Sequence, residues 1–261
     1  GAQVVIADGD TTADAARLGQ LLADSEATVM QATPATWKML LAAGWHGRTD
    51  LKVLCGGEAL PRDLAEQLLP IVGELWNMYG PTETTVWSTT EKVTDVANQM
   101  PVGRPIANTQ IYLLDSHMQP VPLGVVGELY IGGLGVAKGY LNRPDLTAAR
   151  FVPDPFSSDP DARLYKTGDA ARYLPDGRIQ FIGRLDFQVK VRGFRIELGE
   201  IEATLDQHPA ITQSVAIVDD SGGDKRLLAY YIPAGDKETA VSELRRHLLN
   251  SLPAYMVPSR F

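Results

Sequence analysis

The chain has 261 residues, 44% of them hydrophobic and 21% charged, which is the composition of an ordinary globular protein with one sizeable core and room for a smaller unit. Its formal net charge of −8 argues against general binding to nucleic acids or anionic membranes, because both need a basic surface. The single cysteine excludes an internal disulfide framework, which fits a reducing cytoplasm.

Residues 1–92 alternate predicted strands with predicted helices. Short apolar runs predict strands at residues 4–7, 28–31, 51–54 and 74–78, and helical periodicity predicts helices at residues 12–23, 35–43 and 61–69. Strands and helices that alternate at this spacing predict a parallel sheet within an α/β layer. Cys55 follows the third strand with no catalytic base near it in sequence, so we expect it to be a buried small residue.

Residues 93–185 change in character, because proline and glycine become frequent and predicted strands dominate, at residues 110–114, 127–132 and 178–183. Residues 174–178 predict a hairpin turn, in which proline sets the first corner and glycine the left-handed one. This part is predicted to be a small, mostly antiparallel unit that resembles a β-barrel.

Residues 186–261 predict a compact α+β unit, with strands at residues 187–191, 214–218 and 227–232 and helices at residues 198–207 and 241–250. No apolar run reaches transmembrane length and no signal-peptide pattern opens the chain, so we expect a cytoplasmic location. The chain begins without an initiator methionine in a predicted strand, so we expect it to be a segment of a longer protein.

Residues 77–85 are the most informative stretch of the sequence. They combine Tyr79, a Gly-Pro bend, three threonines and Glu83. A nucleotide site needs this mixture, because it takes a flat ring for the base, hydroxyls for phosphate oxygens and a carboxylate for Mg²⁺. A polar loop with a buried tyrosine anchor would also account for it, so the residues alone leave both interpretations open.

Three further stretches carry candidate chemistry. The glycines of residues 127–140 are typical of β scaffold. Residues 165–169 end in Asp169, whose carboxylate in a Thr-Gly turn either accepts the two hydroxyls of a ribose or only caps its own backbone. Residues 183–202 combine arginine and lysine around two glycines, which suits phosphate contacts that form only in some domain arrangements.

Taken in this order, with residues 56–60, 142–147 and 252–258, these stretches resemble the core motifs of nonribosomal peptide synthetase adenylation domains, members of the adenylate-forming enzyme superfamily. The resemblance covers essentially the whole chain. It implies that an amino-acid carboxylate attacks the α-phosphate of ATP, pyrophosphate leaves, and the aminoacyl group passes to the phosphopantetheine thiol of a peptidyl carrier protein. It also implies Mg²⁺ as a cofactor and, for some such domains, a small activator protein.

The resemblance implies a nucleotide site around residues 77–85. Thr82 and Glu83 are the implied catalytic residues: Thr82 contacts the α-phosphate and Glu83 holds Mg²⁺. Tyr79 is expected to stack on adenine, and Asp169 to bind the ribose hydroxyls with Arg184 nearby. The implied nucleotide-binding set also includes Gly57 and Glu58.

The resemblance further implies an acyl pocket and a moving C-terminal unit. The walls of the pocket are expected at Gln31, Leu54, Gly56, Met78, Val86 and Trp87. Because the large Trp87 would fill the depth of this pocket, we predict glycine as the substrate, followed by alanine. Asp186 matches the family hinge, and Gly193 matches the glycine that approaches the pantetheine arm.

Three elements of the family pattern are not found in these 261 residues. They are the Gly/Ser/Thr-rich phosphate loop, the aspartate that binds the α-amino group of the substrate, and the catalytic lysine of the C-terminal unit. We therefore expect an incomplete C-terminal unit and a chain that is inactive by itself in forming adenylate. Two alternatives stay open: an acyl-CoA or aryl-acid ligase of the same superfamily, and a non-catalytic nucleotide-binding module.

Overall fold

A computed structural model describes residues 1–96, 100–186, 188–220, 225–235 and 239–261. The chain divides into two compact units, Gly1–Leu185 and Asp186–Phe261. Within these described ranges, no helix combines the length and the apolar character needed to span a bilayer.

The first unit begins with a five-stranded sheet in the order β1-β2-β3-β4-β5. Its strands are β1 (Val29–Ala32), β2 (Arg48–Gly56), β3 (Val72–Tyr79), β4 (Thr89–Val93) and β5 (Arg104–Pro105). The first three strands are parallel to one another, as predicted, whereas β4 and β5 add to the sheet in antiparallel fashion. The polar strand β4 lacks an apolar alternation, which is why the sequence did not predict it.

Side-chain caps from Asp8, Asp14 and Thr33 begin the first three helices of this layer, whereas the fourth follows Pro61 without one. The four helices are α1 (Gly9–Thr12), α2 (Ala15–Asp24), α3 (Pro34–Ala42) and α4 (Arg62–Leu68). Helix α3 starts at the predicted proline, which occupies the first turn, where no backbone N–H is needed. The helices bury leucines and one tryptophan against the sheet, at Leu18, Leu22, Trp37, Leu40, Leu64 and Leu68.

Two predictions for the start of the chain are wrong. Residues 4–7 do not form a strand: in the described part of the chain the first strand is β1, and Val4 and Ile6 are 81% and 87% exposed. An apolar run becomes a strand only where a neighbouring strand supplies ladder hydrogen bonds. The single helix predicted at residues 12–23 is two helices, because the Asp14 carboxylate accepts the N–H groups of Ala16 and Arg17 and caps a new start.

A second, antiparallel sheet follows in the same unit. It contains β6 (Thr109–Leu114), β7 (Gly127–Gly133), β8 (Phe151–Pro153), β9 (Arg163–Tyr173) and β10 (Ile179–Arg184), and helix α5 (Pro144–Arg150) precedes β8. The order is β10-β9-β7-β6, with β8 paired to β9. The predicted hairpin turn between β9 and β10 is confirmed: the Gly177 N–H donates to the Leu174 oxygen at 2.8 Å, and Gly177 has a φ of +81°.

The predicted turn at residues 165–169 is wrong, because these residues lie inside strand β9. The pairing of β9 with β7 shifts register there, and Gly168 adopts a φ of +76°. An irregularity of this kind is a β-bulge, which bends a strand and re-aims its side chains. The bulge lies directly beside Asp169, whose side chain reaches Tyr79 and Arg184.

Among its described residues, the second unit contains two hairpins, two α-helices and one 3₁₀ turn at Ala254–Met256. The strands and α-helices are β11 (Gln188–Val191), β12 (Phe194–Glu197), α6 (Leu198–Asp206), β13 (Ile211–Asp219), β14 (Arg226–Pro233) and α7 (Val241–Leu249). Ile201 and Leu205 of α6 and Leu244 and Leu248 of α7 are buried in its core. Phe187, the predicted first residue of the strand that is now β11, lies outside the described residues.

Candidate active site

The parallel strands β1, β2 and β3 bring most of the predicted acyl-pocket residues together. Their register sets Gln31 beside Leu54, and Gly56 beside Met78. These positions lie near the carboxyl ends of the strands, where ligands bind in open α/β sheets. Strand pairing at the edge of the sheet therefore sets the positions of these four residues.

Trp87 covers this sheet edge. Its indole Nε1 donates a hydrogen bond to the Gln31 Oε1 at 3.0 Å. A Cβ added to Gly56 would lie only 2.4 Å from the Trp87 ring and 2.8 Å from the Met78 oxygen. Because Gly56 has no side chain, the indole of Trp87 can lie this close to β2.

A strained turn aims Trp87. Thr85 and Val86 have φ angles of +63° and +71°, which are rare for β-branched residues. The Trp87 N–H donates to the Thr85 oxygen at 2.9 Å, so Val86 is the centre of a three-residue γ-turn. Gly80 makes room for this turn, because a Cβ there would lie 2.5 Å from the Val86 oxygen.

Val86 itself differs from the other predicted pocket residues. It is 52% exposed, and its backbone rather than its side chain contributes most to the arrangement of the turn. Hydroxyl groups hold the turn on both sides: Thr84 Oγ1 and Ser88 Oγ are 2.6 Å apart, and Thr85 Oγ1 donates to the Gly135 oxygen at 2.8 Å. Strain that is held this firmly is common at functional sites.

Tyr79, Asp169 and Arg184 form one hydrogen-bonded cluster. The Tyr79 hydroxyl donates to Asp169 Oδ2 at 2.5 Å, and Arg184 Nη1 donates to Asp169 Oδ1 at 2.8 Å. The Asp169 N–H donates to Thr167 Oγ1 at 2.9 Å. Asp169 is only 5% exposed, so its charge is offset mainly by Arg184. The carboxylate is held by side chains from β3 and β10 and does not merely cap its own backbone.

The environment of Tyr79 keeps its phenol protonated. Burial raises the pKa of Tyr79 well above its usual value, and the negative charge of Asp169 and the hydrogen bond to it raise the pKa further. The ring is 8% exposed and lies 6.3 Å, centroid to centroid, from Phe181. Tyr79 is thus a permanent hydrogen-bond donor at neutral pH. Sequence reasoning did not single out Phe181.

Glu83 lies in a single 3₁₀ turn, Thr82–Thr84, immediately after β3. Its backbone oxygen accepts the Ala137 N–H at 2.9 Å, and its Oε1 accepts the Tyr140 hydroxyl at 2.6 Å. Thr82 is exposed beside it. The sequence interpretation of residues 127–140 as scaffold missed Tyr140, because the pairing joins positions 57 residues apart.

Gly57 and Glu58 follow β2 at the same edge of the sheet. Gly57 has a φ of +88°, a conformation that favours glycine. The adjacent Cys55 is buried, as predicted, and burial together with the charge of Glu58 raises the pKa of its thiol to about 12. A buried thiol with a raised pKa has the character of a structural cysteine rather than of a nucleophile.

Asp186 and Gly193 belong to the second unit, and each has a local backbone role. Asp186 Oδ1 accepts the Gln188 N–H at 3.2 Å, at the start of β11. Arg192 and Gly193, with φ angles of +53° and +81°, form the two-residue turn between β11 and β12. A turn with two positive φ values favours glycine at its second position.

The family model of the AMP-binding enzyme matches residues 1–141. The chain therefore belongs to the AMP-binding enzyme family, and its α/β fold is of the predicted class.

Curated relatives agree with this family. The chain is 50% identical over 263 residues to a dimodular nonribosomal peptide synthase of Bacillus subtilis, a match that covers 100% of the chain and 11% of that protein. It is 49% identical over 268 residues to malpibaldin synthetase of Mortierella alpina, covering 100% of the chain and 5% of that protein. The chain thus spans a small part of the length of these relatives.

Solved structures agree as well. A four-domain nonribosomal peptide synthetase bound to AMP and glycine matches 98% of this chain and 19% of its own, with a TM-score of 0.65 and 50% identity. A nonribosomal peptide synthetase protein with adenylation and carrier domains, bound to a vinylsulfonamide inhibitor, matches 95% of this chain and 44% of its own, with a TM-score of 0.82 and 32% identity.

Proposed function

We propose that this chain forms part of an adenylation domain that activates an amino acid with ATP. The carboxylate oxygen of the amino acid attacks the α-phosphorus, the bond to pyrophosphate breaks, and aminoacyl-AMP is formed. Reactions of this kind need positioning and charge stabilisation more than covalent work by the protein. The observation that supports the proposal is the cluster of Tyr79, Asp169 and Arg184 around one buried carboxylate.

Asp169 is the proposed ribose ligand. A carboxylate has about four acceptor positions, so its bonds to Tyr79 and Arg184 leave capacity for hydroxyl donors. Because those two bonds fix the carboxylate before the nucleotide arrives, binding does not have to order this side chain. We assign Tyr79 to the adenine side of the same site, where its ring lies beside that of Phe181.

Glu83 and Thr82 are the proposed groups at the phosphates. Among the described residues there is no cluster of three His, Cys, Asp or Glu side chains able to hold a metal ion. A nucleotide-bound Mg²⁺ does not need such a cluster, because it takes one or two carboxylates plus phosphate oxygens. The single carboxylate of Glu83 therefore fits this ion, which when bound would offset negative charge on the attacked phosphate.

Glycine is the proposed substrate. The indole of Trp87 is held by Gln31 and lies against Gly56. We infer that this large ring fills the depth of the pocket and leaves room only for a small side chain. The solved relative bound to AMP and glycine, at 50% identity, supports the same choice. Alanine, one methyl group larger, is the proposed second substrate.

A peptidyl carrier protein is the proposed acceptor. In this second step, the phosphopantetheine thiol attacks the carbonyl of aminoacyl-AMP, and AMP leaves as the thioester forms. Asp186 is the proposed hinge of the step, and Gly193 the proposed approach point of the pantetheine arm. The solved relative that contains adenylation and carrier domains supports this type of partner. A small activator protein is a further proposed partner.

The test is ATP–pyrophosphate exchange across the standard amino acids. It uses an extended chain, defined as these 261 residues joined to the flanking segments of a related synthetase that carry the phosphate loop and the C-terminal lysine. We expect glycine to give the highest exchange rate and alanine the second highest. A strong preference for an aromatic amino acid would contradict the substrate proposal. Transfer to CoA rather than to a carrier protein would identify the chain as part of an acyl-CoA ligase.

A further inference from the structure

Residues 133–140, which we call the clamp segment, are bonded to the turn that carries Glu83. The Ala137 N–H donates to the Glu83 oxygen at 2.9 Å, and Thr85 donates to the Gly135 oxygen at 2.8 Å. The two backbones also touch directly, because a Cβ on Gly135 would lie 2.9 Å from the Thr84 oxygen. The clamp segment, which follows directly from the end of β7, therefore sets the position of this turn.

Tyr140, at the end of the clamp segment, is itself held in place. Its N–H donates to Thr147 Oγ1 at 2.9 Å, and its ring packs edge-on against Phe151 with the ring centroids 5.5 Å apart. Gly139 has a φ of +143°, and a Cβ there would lie 2.4 Å from the Thr147 side chain. These contacts hold the backbone and the ring of Tyr140, and its hydroxyl reaches Glu83 from this position.

From this geometry, and resting on the proposed function, we propose that Tyr140 is a positioning residue that fixes the Glu83 carboxylate for the Mg²⁺ of the nucleotide. The bond from the Tyr140 hydroxyl to Glu83 Oε1 is 2.6 Å long, which is the length of a charge-assisted hydrogen bond. Carboxylates that bind metals are commonly oriented by a second hydrogen-bond partner of this kind. Tyr140 touches neither substrate nor metal in this role.

The phenol is suited to the task. A tyrosine hydroxyl keeps its proton at neutral pH, so it stays a donor to the Glu83 carboxylate. A glutamate side chain that is already ordered loses less conformational freedom when it binds a cation. Removing the hydroxyl should therefore weaken the Mg²⁺-dependent part of nucleotide binding and leave the Mg²⁺-independent part unchanged.

The test is calorimetric titration of ATP into the extended chain over a range of Mg²⁺ concentrations, with AMP titrated without Mg²⁺ as the second readout. Tyr140→Phe keeps the ring and removes only the hydroxyl. We expect it to weaken the apparent affinity for Mg²⁺ by about 10-fold, and AMP binding to stay unchanged. Tyr130→Phe is the matched control, since its hydroxyl also donates to a glutamate, Glu128 at 3.3 Å in β7, and it should change neither readout.

Glu83→Gln and the double variant complete the design. If Tyr140 acts through Glu83, Tyr140→Phe should have no further effect on the Mg²⁺ dependence once Glu83 is Gln. Wild-type Mg²⁺ dependence in Tyr140→Phe, together with a loss in Glu83→Gln, overturns this inference and leaves the proposed function standing. Weaker AMP binding in Tyr140→Phe also overturns it, because the role would then be structural. An unchanged Mg²⁺ dependence in Glu83→Gln removes the assignment of Glu83 and the inference with it.

Discussion

The hydroxyl of Tyr79 lies 2.5 Å from Oδ2 of Asp169, although the two residues are 90 positions apart in the chain. The bond joins the end of the parallel strand β3 to the bulge in the antiparallel strand β9. It therefore couples the two sheets of the first unit at the point where the ribose and adenine of a nucleotide are proposed to meet.

Tyr79→Phe tests this coupling. The variant keeps the ring but leaves a buried carboxylate with one donor fewer, which should lower the free energy of unfolding by about 1–3 kcal/mol. The affinity for AMP should fall with it, because Asp169 is no longer fixed before binding. Urea unfolding and calorimetry measure the two effects. Tyr173→Phe, which removes a hydroxyl bonded to the Ile111 oxygen at 2.8 Å, should cost stability but not AMP affinity.

Gly56→Ala tests the contact between β2 and the indole of Trp87. The added methyl group would meet both the ring and the Met78 backbone oxygen, and the backbone cannot yield as a flexible side chain can. We expect a loss of about 1–3 kcal/mol in the free energy of unfolding and a higher KM for glycine in the exchange assay. Gly19→Ala, in the middle of α2, should instead stabilise the protein by about 0.5–1 kcal/mol, because the added Cβ would make only an ordinary contact with Leu40 at 4.0 Å. Equal effects of the two variants would contradict the account of the pocket.

Trp87→Ala tests which residue limits the size of the substrate. Removing the indole opens the depth of the pocket, so the ratio of kcat/KM for leucine to that for glycine should rise by about 10-fold or more. Exchange measurements with the extended chain give this ratio directly. If the ratio does not change, Trp87 does not form the end of the pocket.

The lowered pKa of Glu74 predicts that the free energy of unfolding depends on pH. Hydrogen bonds from Lys92, Trp76 and Lys52 lower the pKa of Glu74 from 4.5 to about 2. Because the pKa is lower in the folded state, the carboxylate stabilises the protein fully above pH 4.5, and this contribution disappears as the pH falls toward 2. The difference in urea midpoint between wild type and Glu74→Gln should therefore shrink over that interval. A difference that is independent of pH would show that the folded protein does not lower this pKa.

Elements with local signals could be predicted from the sequence. The strands that became β1, β2 and β3 were visible as apolar runs, α3 as a helix begun by Pro34, and the hairpin turn as a Pro-Asp-Gly bend. Strand β4 could not be predicted, since its polar residues carry no period, and it exists because β3 offers an open edge.

Contacts within the site depend on tertiary structure and were only partly predictable. Tyr79, Glu83 and Asp169 could be named, because their residue types suit a nucleotide. The sequence does not encode locally that Tyr79 bonds to Asp169 or that Tyr140 bonds to Glu83, because sheet pairing brings these residues together. The bulge at Gly168 was likewise mistaken for a turn, since a glycine beside a threonine and an aspartate is typical of both.

Titration of AMP and of 2′,3′-dideoxy-AMP, by calorimetry, tests the central claim most directly. If Asp169 binds the ribose hydroxyls, the wild-type protein should prefer AMP by at least about 10-fold, and Asp169→Asn should lose most of that preference. The dideoxy compound keeps the adenine and the phosphate, so any difference in affinity from AMP is due to the two ribose hydroxyls. Equal affinity of the wild-type protein for the two nucleotides, or an undiminished preference in Asp169→Asn, would contradict the proposed site.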